Sequence, residues 1–453
     1  MHIEDHHHPT RFRWNVFVMA CGTSWLLYLH RYIFALIKPV LVEEWDLGKD
    51  ELGLLDSAFS VAYTGFQIPL GVATNAFGVH LMLTFMLVLW SVGLGLHAWA
   101  PSSKYLWIAR ASLGLGQSAV LAAQSQITAD WFPRSVRSTV QGWLGVFFSR
   151  FGGLSANLLV GTVLLGVFDL PWRTVVYAMA GVGLVHAFLF ALVFRNSPRT
   201  HPRVNDAEAA LIEERDTTES DHGYVIVGGV SRKKSVKPEP RMSIGTMFRR
   251  MSPRAIGNLL MLNLQTILST LADNIFSAWI PLFLWEVHGL KFKEMGFYAS
   301  LPLLGGAIGG AVGGWLNDRM IAWTGSARWS RTAVGAAGKG IAGALLLTSL
   351  LWFDQPRVFC VMLFFVKFFS DWSLVTTWGC VADIGGRTTA TVFAFNNSVA
   401  GVGAILGPAL YGFVAEYHGW TPVFVTGAVT YVVCALTWLL INCEIPIIKS
   451  ESK

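Results

Sequence analysis

Three arginines lie in long apolar segments, where a charged side chain needs a specific reason to be. Arg31, Arg110 and Arg150 are surrounded by Leu, Val, Phe, Ala and Gly. A guanidinium at the centre of a membrane helix costs about 2.5–3.5 kcal/mol on insertion scales, so such residues indicate functional sites. A buried guanidinium can hold a carboxylate, sulfonate or phosphate through paired hydrogen bonds. Arg31 and Arg110 therefore predict an anion-binding site. Arg150 fits equally well an ion pair with Asp130 or a contact with a helix C-terminus.

The remaining buried charges have more ordinary interpretations. Lys38 and Lys339 lie close enough to helix ends to extend towards headgroups or backbone carbonyls. Lys367 and Asp371 are four residues apart, which predicts an ion pair along one helix. Asp56 lies near the end of its segment and is expected at the membrane interface.

The composition indicates an integral membrane protein. Apolar residues make up 53% of the 453 residues and charged residues 14%, whereas soluble proteins carry about a quarter charged residues. No Asp, Glu, Lys or Arg occurs from Ser57 to Ser103, and later uncharged runs are each long enough for one helical crossing of about 20 residues. This pattern excludes a disordered chain, a disulfide-stapled secreted module and an ordinary cytosolic enzyme. The lack of alternating polarity argues against a β-barrel.

We predict an all-α membrane protein with twelve transmembrane helices in two pseudo-symmetric six-helix bundles. The helices are expected at 14–40, 52–74, 79–99, 105–129, 139–166, 174–194, 256–287, 296–320, 332–352, 357–382, 388–415 and 420–443. The predicted domains are an N-terminal tail (1–13), an N-terminal bundle (14–194), a linker (195–255), a C-terminal bundle (256–443) and a C-terminal tail (444–453). The linker is expected to be mostly solvated, with one short helix over Asn205–Arg215 that starts at Asn205 or Asp206.

Positive charge predicts the orientation of the chain. The tails and the short loops on their side hold ten Lys and Arg, and the linker on the same side holds 12, whereas the opposite loops hold six. Lys and Arg are enriched in cytoplasmic loops. We therefore expect a multi-pass protein of the plasma (inner) membrane with both termini on the cytoplasmic side. The net charge of +6 follows from this topology, and no nucleic-acid partner is expected. The lipid bilayer is the expected surrounding partner.

Motifs of catalysis and cofactor binding are missing from the sequence. It contains no Walker loop, no His/Cys metal cluster and no nucleophile elbow. We therefore expect no enzymatic activity, no cofactor and no metal site.

Several segments resemble the major facilitator superfamily. Gly314, Asp318 and Arg319 are similar to its loop motif, in which a glycine is followed four residues later by Asp-Arg. More narrowly, the chain resembles the anion:cation symporter family, which includes galactonate and hexuronate permeases, sialin and vesicular glutamate transporters. The segments that carry this resemblance are Tyr28–Arg31, Ser60–Tyr63, Arg110–Gln117, Trp131–Arg137, Ser197–Glu208, Trp279–Leu284, Trp378–Asp383 and Asn397–Pro408.

The resemblance implies a substrate site at mid-membrane between the bundles. The residues at the matching motif positions are Tyr28, Arg31, Tyr63, Arg110, Trp378 and Asn397, and Gln117, seven residues after Arg110, is the seventh residue predicted to bind substrate. The arginines would hold an anionic end, and the aromatic and amide groups would contact hydroxyls or an apolar tail. Arg110 would either contact the substrate or hold Gln117 and the wall of helix 5 in place.

The chain departs from the family at both positions that would couple transport to protons. His30 stands where the family commonly has Asp, and Gln117 stands where it commonly has Glu. Gln117 cannot titrate, which leaves three alternatives. His30 or Asp273 substitutes for the missing acids, another ion drives transport, or the protein is a facilitator or an exchanger.

Helix 1 also resembles the organophosphate:phosphate antiporters. Their second arginine, on helix 7, corresponds to Asp273 here, so a paired-arginine phosphate clamp is incomplete and this class ranks second. The leading prediction is a secondary active transporter that moves a small organic anion, a sugar acid or other carboxylate, by alternating access, together with a proton or cation where it is a symporter. A membrane sensor that binds an anion without transporting it remains a further alternative.

Overall fold

A computed structural model describes residues 8–217, 224–227, 230–233, 249 and 251–448 of the chain. The membrane helices of its first half are α1 (Arg13–Trp45), α2 (Lys49–Phe77), α3 (Val79–Trp99), α4 (Ser103–Trp131), α5 (134–167) and α6 (Trp172–Val193). Those of its second half are α7 (Pro253–His288), α8 (Phe292–Thr324), α9 (Ala327–Trp352), α10 (Pro356–Gly385), α11 (Thr389–His418) and α12 (Trp420–Trp438). The predicted fold class of two six-helix bundles is confirmed.

Eleven helices in the described part of the chain are long and apolar enough to cross a membrane. The twelfth, α2, has 29 residues, but polar side chains such as Ser60, Tyr63 and Thr64 interrupt its apolar sequence. These residues line a cavity between the bundles instead of facing lipid, which explains the lower hydropathy of α2.

The helix ends follow local chemistry that the uncharged runs alone do not show. α1 extends five residues beyond the predicted end and stops where Asp46 adopts a left-handed conformation (φ 51°). α7 and α8 end at Gly289 (φ 60°) and Gly325 (φ 69°), where the missing Cβ makes the left-handed backbone accessible. Because charged residues are tolerated in the last turns, most helices are longer than their uncharged runs.

Three membrane helices contain irregular turns. α4 is interrupted after Gln117, and π-helical turns occupy Trp143–Phe147 and Ala156–Val167 of α5 and Ile275–Trp279 of α7. Such turns redirect side chains and release backbone carbonyls from the regular ladder. One released group, the Ala278 carbonyl, accepts a hydrogen bond from the other bundle.

The most extensive contacts between the bundles are those of α2 with α11 and of α5 with α8. The first pair approaches closely because Gly53 has no side chain: a Cβ there would lie 2.5 Å from the Pro408 carbonyl oxygen. In the second pair, the Asn157 amide donates to the Ala299 carbonyl at 3.0 Å.

The start of the linker packs against the start of α1 and contains the predicted short helix. The linker helix runs over Asp206–Thr217, and the Asn205 side chain caps it by accepting from the Glu208 amide at 3.0 Å. Glu208 is fully buried and accepts hydrogen bonds from the Phe12 and Arg13 amides at 3.0 and 3.2 Å. The linker therefore holds the first turn of α1.

Further along the linker, Tyr224–Val227 pairs in antiparallel register with Val230–Lys233. Residues 218–223, 228–229, 234–248 and 250 of the predicted linker lie outside the described residues.

The two ends of the membrane helices define two faces. The terminal face is the one at which α1 begins and α6 ends, and the opposite face is the one at which α1 ends and α2 begins. At the opposite face Lys49 of α2 forms ion pairs with Glu286 of α7 at 2.9 Å and Glu416 of α11 at 3.5 Å. These contacts tie the two bundles together at that face.

Candidate functional site

A cavity of about 320 Å3 lies between the two bundles. Its walls come from α1, α2 and α4 on one side and from α7 and α11 on the other. Five of the seven residues predicted to contact substrate line it, namely Tyr28, Arg31, Tyr63, Arg110 and Asn397. The structure thus brings together residues that are up to 369 positions apart in the sequence.

Arg31 is surrounded by aromatic rings. Its guanidinium carbon lies 5.0 Å from the Tyr28 ring centroid, 5.0 Å from Phe59 and 4.8 Å from Tyr63. Within the described part of the chain no carboxylate forms an ion pair with Arg31, and its Nη2 is buried without a hydrogen-bond partner. Rings stabilise a cation without neutralising its charge, so Arg31 remains available to an anion.

Gln117 positions Arg31 from behind. Its Oε1 accepts from Arg31 Nε at 3.2 Å, and its Nε2 donates to the Leu27 carbonyl at 3.0 Å. The side chain is fully buried and does not line the cavity. An amide can accept from one neighbour and donate to the other at once, which an ionised carboxylate cannot do.

Arg110 forms an ion pair with Asp56, so the prediction of an interfacial Asp56 is wrong. Arg110 Nη2 lies 2.6 Å from one carboxylate oxygen of Asp56, and Lys38 Nζ lies 2.6 Å from the other. Of the two partners predicted for Lys38, headgroups or backbone carbonyls, the structure shows a carbonyl: the side chain is completely buried and donates to a backbone oxygen of the other bundle. Arg110, Asp56 and Lys38, together with Arg31, are called the cavity cluster below.

Lys38 links this cluster to the other bundle. Its Nζ donates to the Ala278 carbonyl of α7 at 2.9 Å and lies 3.8 Å from the centroid of the Trp279 ring. The π-helical turn of α7 presents both groups. The cavity cluster therefore forms part of the wall towards the opposite face.

A second group of buried charges lies between α5, α7, α9 and α10, and is called the interbundle cluster. Its members are Arg150, Asp273, Lys339, Lys367 and Asp371. Lys367 Nζ lies 2.8 Å from Asp371, which confirms the predicted pair along α10, and 2.9 Å from Asp273 of α7.

Arg150 connects the two bundles through this cluster. Its Nη2 lies 2.6 Å from the Asp371 carboxylate, so the predicted pairing with Asp130 or a helix C-terminus is wrong. Lys339 is fully buried and donates to Ser370 at 3.1 Å, which corrects its predicted extension to headgroups. A run of uncharged residues cannot reveal which charges on distant helices will meet.

The two predicted coupling residues have different surroundings. His30 is fully buried inside the N-terminal bundle, where its Nδ1 accepts from Trp90 Nε1 at 3.2 Å, and it does not line the cavity. Asp273 accepts from the Tyr431 hydroxyl at 2.6 Å, and its side chain is 26% exposed. Its neighbour Asn274 lines the cavity.

Two further predictions lie away from the cavity. Trp378 contacts Phe393 edge-on, with ring centroids 6.1 Å apart, and is not among the cavity-lining residues. Gly314, Asp318 and Arg319 belong to the last turns of α8, which continues to Thr324, so the predicted loop motif is helical.

Sequence reasoning missed two residues of the site. Phe59 lies between the two arginines, with its ring centroid 5.0 Å from the guanidinium carbon of Arg31 and 4.8 Å from that of Arg110. Asp56, three residues before Phe59 on α2, forms an ion pair with Arg110 of α4. The available signal was the spacing of Asp56, Phe59 and Tyr63, which places all three on one face of α2.

The arrangement provides charge and hydrogen bonds for binding an anion rather than a catalytic constellation. Among the described residues there is no group of three or more His, Cys, Asp or Glu side chains suited to a metal ion.

The Major Facilitator Superfamily profile matches residues 20–397. The chain is similar to a probable sulfoacetate transporter, SauU, from Cupriavidus necator, with 27% identity over 96% of this chain and 95% of that one. It is also similar to the hexuronate transporter of Escherichia coli K12, with 26% identity over 95% and 94% of the two chains.

The fold has a counterpart among solved structures. A bacterial homolog of the human lysosomal transporter Spinster, in an inward-facing and unoccupied conformation, superposes with a TM-score of 0.75 over 98% of this chain and 100% of that one. The two sequences are 16% identical, so this similarity concerns the fold alone. The profile match, the two bundles and the cavity between them give one conclusion: the chain belongs to the Major Facilitator Superfamily and is a multi-pass membrane transporter, not an enzyme.

Proposed function

We propose that this protein carries a small organic anion across the membrane by alternating access, with Arg31 as the anchor of the anionic group. The observation that carries the proposal is the state of Arg31: a guanidinium at the cavity wall, held by an amide and three rings, with no ion-pair partner in the described part of the chain. A charge left uncompensated in a low-dielectric site requires a ligand of opposite sign.

The substrate class follows from the site and its relatives together. The cavity of about 320 Å3 suits a small molecule, and Tyr28, Ser60, Tyr63 and Asn397 offer hydroxyl and amide groups to its polar substituents. The similar proteins are transporters of sulfoacetate, hexuronate and D-galactonate by name. A sugar acid or another small carboxylate or sulfonate fits both.

Alternating access would begin from the conformation seen here. Lys49 closes the opposite face through Glu286 and Glu416, and Lys38 reaches across to Ala278. Breaking these contacts would open the cavity to the opposite face. Following the distribution of Lys and Arg, we assign the terminal face to the cytoplasm and the protein to the plasma (inner) membrane.

For coupling to a proton or cation, Asp273 is the stronger of the two candidates. Its carboxylate is partly exposed beside the cavity-lining Asn274, whereas His30 is enclosed by α3 and α6 within one bundle. A coupling group must be reached by its ion from the transport path. Transport without any coupled ion remains the alternative for a chain that has Gln117.

The test is uptake of labelled sugar acids and sulfonates into proteoliposomes, paired with binding to purified protein. Arg31→Ala should abolish binding and uptake. Arg31→Lys should recover little, because an ammonium cannot reproduce the two parallel hydrogen bonds of a guanidinium.

The matched control is Arg173→Ala, which removes an exposed arginine that pairs with Glu44 at the opposite face. It should bind and transport like the wild type. Wild-type activity in Arg31→Ala would refute the anchoring role, and tight binding without flux in the wild type would replace the carrier by an anion sensor.

A further inference from the structure

The cavity cluster carries more positive charge than its single acid can neutralise. Three of its members are cations, Lys38, Arg31 and Arg110, and Asp56 is the one anion. Lys38 and Arg110 share the two oxygens of that carboxylate, each at 2.6 Å. The cluster therefore has two positive charges in excess.

The two acids of the interbundle cluster do not offset this excess. Asp371 binds Arg150 and Lys367, and Asp273 binds Lys367. The interbundle cluster thus uses both of its carboxylates for its own cations. Within the described residues, the excess charge at the cavity is left for a ligand.

Each cavity arginine also has an unused hydrogen-bond donor. Arg31 Nη2 and Arg110 Nη1 are both buried and have no partner. Arg110 is only 2% exposed and borders the cavity. A buried charged donor without an acceptor is unfavourable, so two separate positions favour an acidic oxygen.

Phe59 sets the spacing of these positions. The guanidinium carbons of Arg31 and Arg110 lie 5.0 and 4.8 Å from its ring centroid, so they are no further apart than these two distances combined. One small molecule can therefore reach both arginines past the ring. A single carboxylate bound at Arg31 would leave Arg110 Nη1 without an acceptor.

Building on the proposed carrier function, we propose that the cargo is a dianion: a small molecule with an acidic group at each end, one bound by Arg31 and the other by Arg110. The class includes aldaric acids, short dicarboxylates and carboxylates that also carry a sulfonate. Binding one dianion brings the charge of the cavity cluster and its ligand to zero, which favours passage through the low-dielectric membrane interior.

The experiment compares ligands that differ only in the second acidic group. Galactarate is tested against galactonate, and succinate against succinamate, by calorimetry on the purified full-length protein. We expect at least one dianion to bind about tenfold or more tightly than its matched monoanion. Equal or tighter binding of both monoanions overturns the dianion assignment and leaves the carrier function intact, whereas no binding by any of the four anions counts against both.

A pair of arginine variants locates the second contact. Arg110→Gln should reduce the ratio of dianion to monoanion affinity about tenfold, whereas Arg150→Gln, which changes a partly exposed arginine outside the cavity, should keep the wild-type ratio. An unchanged ratio in Arg110→Gln would overturn the assignment of Arg110 to the second group. Should Arg110→Gln fail to fold, the wild-type ligand pairs alone decide the dianion assignment.

Discussion

The cavity cluster and the interbundle cluster place buried charges in the same membrane interior with different outcomes. In the cavity cluster one carboxylate, Asp56, serves two cations, and Arg31 is left to aromatic rings. In the interbundle cluster Asp371 contacts Arg150 of the other bundle and Lys367 of its own helix, and Asp273 contacts the same Lys367.

The difference separates two uses of buried charge. A surplus of cations beside a cavity attracts an anionic ligand. A group in which cations and carboxylates nearly balance, placed between the two bundles, holds the bundles in one arrangement. Buried ion pairs contribute little net stability when complete but destabilise strongly when one partner is lost. The two clusters should therefore respond differently to removal of one charge.

The largest effect is expected from Asp56→Asn. It leaves Lys38 and Arg110 buried without a carboxylate, which should cost about 3–5 kcal/mol of folding free energy. Yield and melting temperature of the detergent-solubilised protein measure this loss. Glu51→Gln, which changes another acid on the same helix near the opposite face, is the control and should melt like the wild type. A wild-type melting temperature in Asp56→Asn would show that the cavity cluster is not held together by this carboxylate.

Arg150→Met should disturb conformation more than folding. Asp371 keeps Lys367 as a partner at 2.8 Å, so no carboxylate is left without a cation. The lost contact joins the bundles, and its removal should favour opening at the opposite face. Ser60 lines the cavity, so a cysteine at this position reports whether the cavity is accessible. In intact cells, Ser60→Cys combined with Arg150→Met should react with an external, impermeant maleimide about tenfold faster than Ser60→Cys alone.

The control for this labelling is the protein without Ser60→Cys, which measures the reaction of the native cysteines. This background should be low because all of them are buried, namely Cys21, Cys360, Cys380, Cys434 and Cys443. Equal labelling rates with and without Arg150 would mean that the ion pair does not hold the opposite face closed.

Sequence reasoning recovered the fold because membrane crossings are encoded locally. Uncharged runs such as Val175–Phe194, and the glycines within them, can be recognised from consecutive residues without knowing which helices come into contact. Within the site, Arg31 and Arg110 were identified for the same reason, since a buried arginine is conspicuous in its own segment. The start of the linker helix at Asn205 or Asp206 was equally local, and in the structure Asn205 is the capping residue.

The partners of these residues were not accessible from the sequence. Asp56 meets Lys38 and Arg110 from a third helix, and Arg150 meets Asp371 across 221 positions of sequence. Such pairings depend on the rotation of each helix and on irregular turns, including the π-helical turn that presents Ala278. Periodicity shows which residues share a face but not which two faces meet.

Gln117→Glu should make the cavity cluster sensitive to pH. The new carboxylate would lie beside Arg31 Nε, where the amide oxygen is now 3.2 Å away. When ionised it would compete with the substrate for Arg31, and when protonated it would resemble the amide. Anion affinity should therefore rise as pH falls, by about tenfold between pH 8 and 5. Transport assays and calorimetry across this range measure the effect, and a pH profile identical to that of the wild type would contradict the role of Gln117 beside Arg31.

The smallest effect is expected outside the membrane, at the contact between the linker and the start of α1. The buried polar group at this contact forms its hydrogen bonds with backbone atoms instead of charged side chains. His201 is 6% exposed, stacks on Phe12 with ring centroids 4.0 Å apart, and its Nε2 donates to the Val193 carbonyl at 3.0 Å. Its Nδ1 accepts from the Arg203 amide at 3.1 Å, so the neutral ring fits this site.

Burial is the main cause that lowers the pKa of His201, and the nearby Arg195 and Arg203 lower it further, against the opposing effects of the Val193 hydrogen bond and the Glu208 carboxylate. The folded state therefore binds this proton less readily than the unfolded state. The contribution of His201 is present above its ordinary pKa of about 6.5 and is lost as the pH falls below it.

Acidification from pH 7.5 to 5.5 should thus lower the melting temperature of the wild type more than that of His201→Phe, by about 1–3 °C. The phenylalanine retains the stacking on Phe12 but has no proton to bind, so it isolates the titration from the packing. A drop of equal size in both proteins would assign the acid sensitivity to another group and remove His201 from the account. A larger drop in the wild type would confirm that His201 loses its contribution only on acidification, whereas Asp56→Asn is expected to be destabilised already at pH 7.5. The two results together would show that a buried group with backbone partners is less easily destabilised than a group of shared charges.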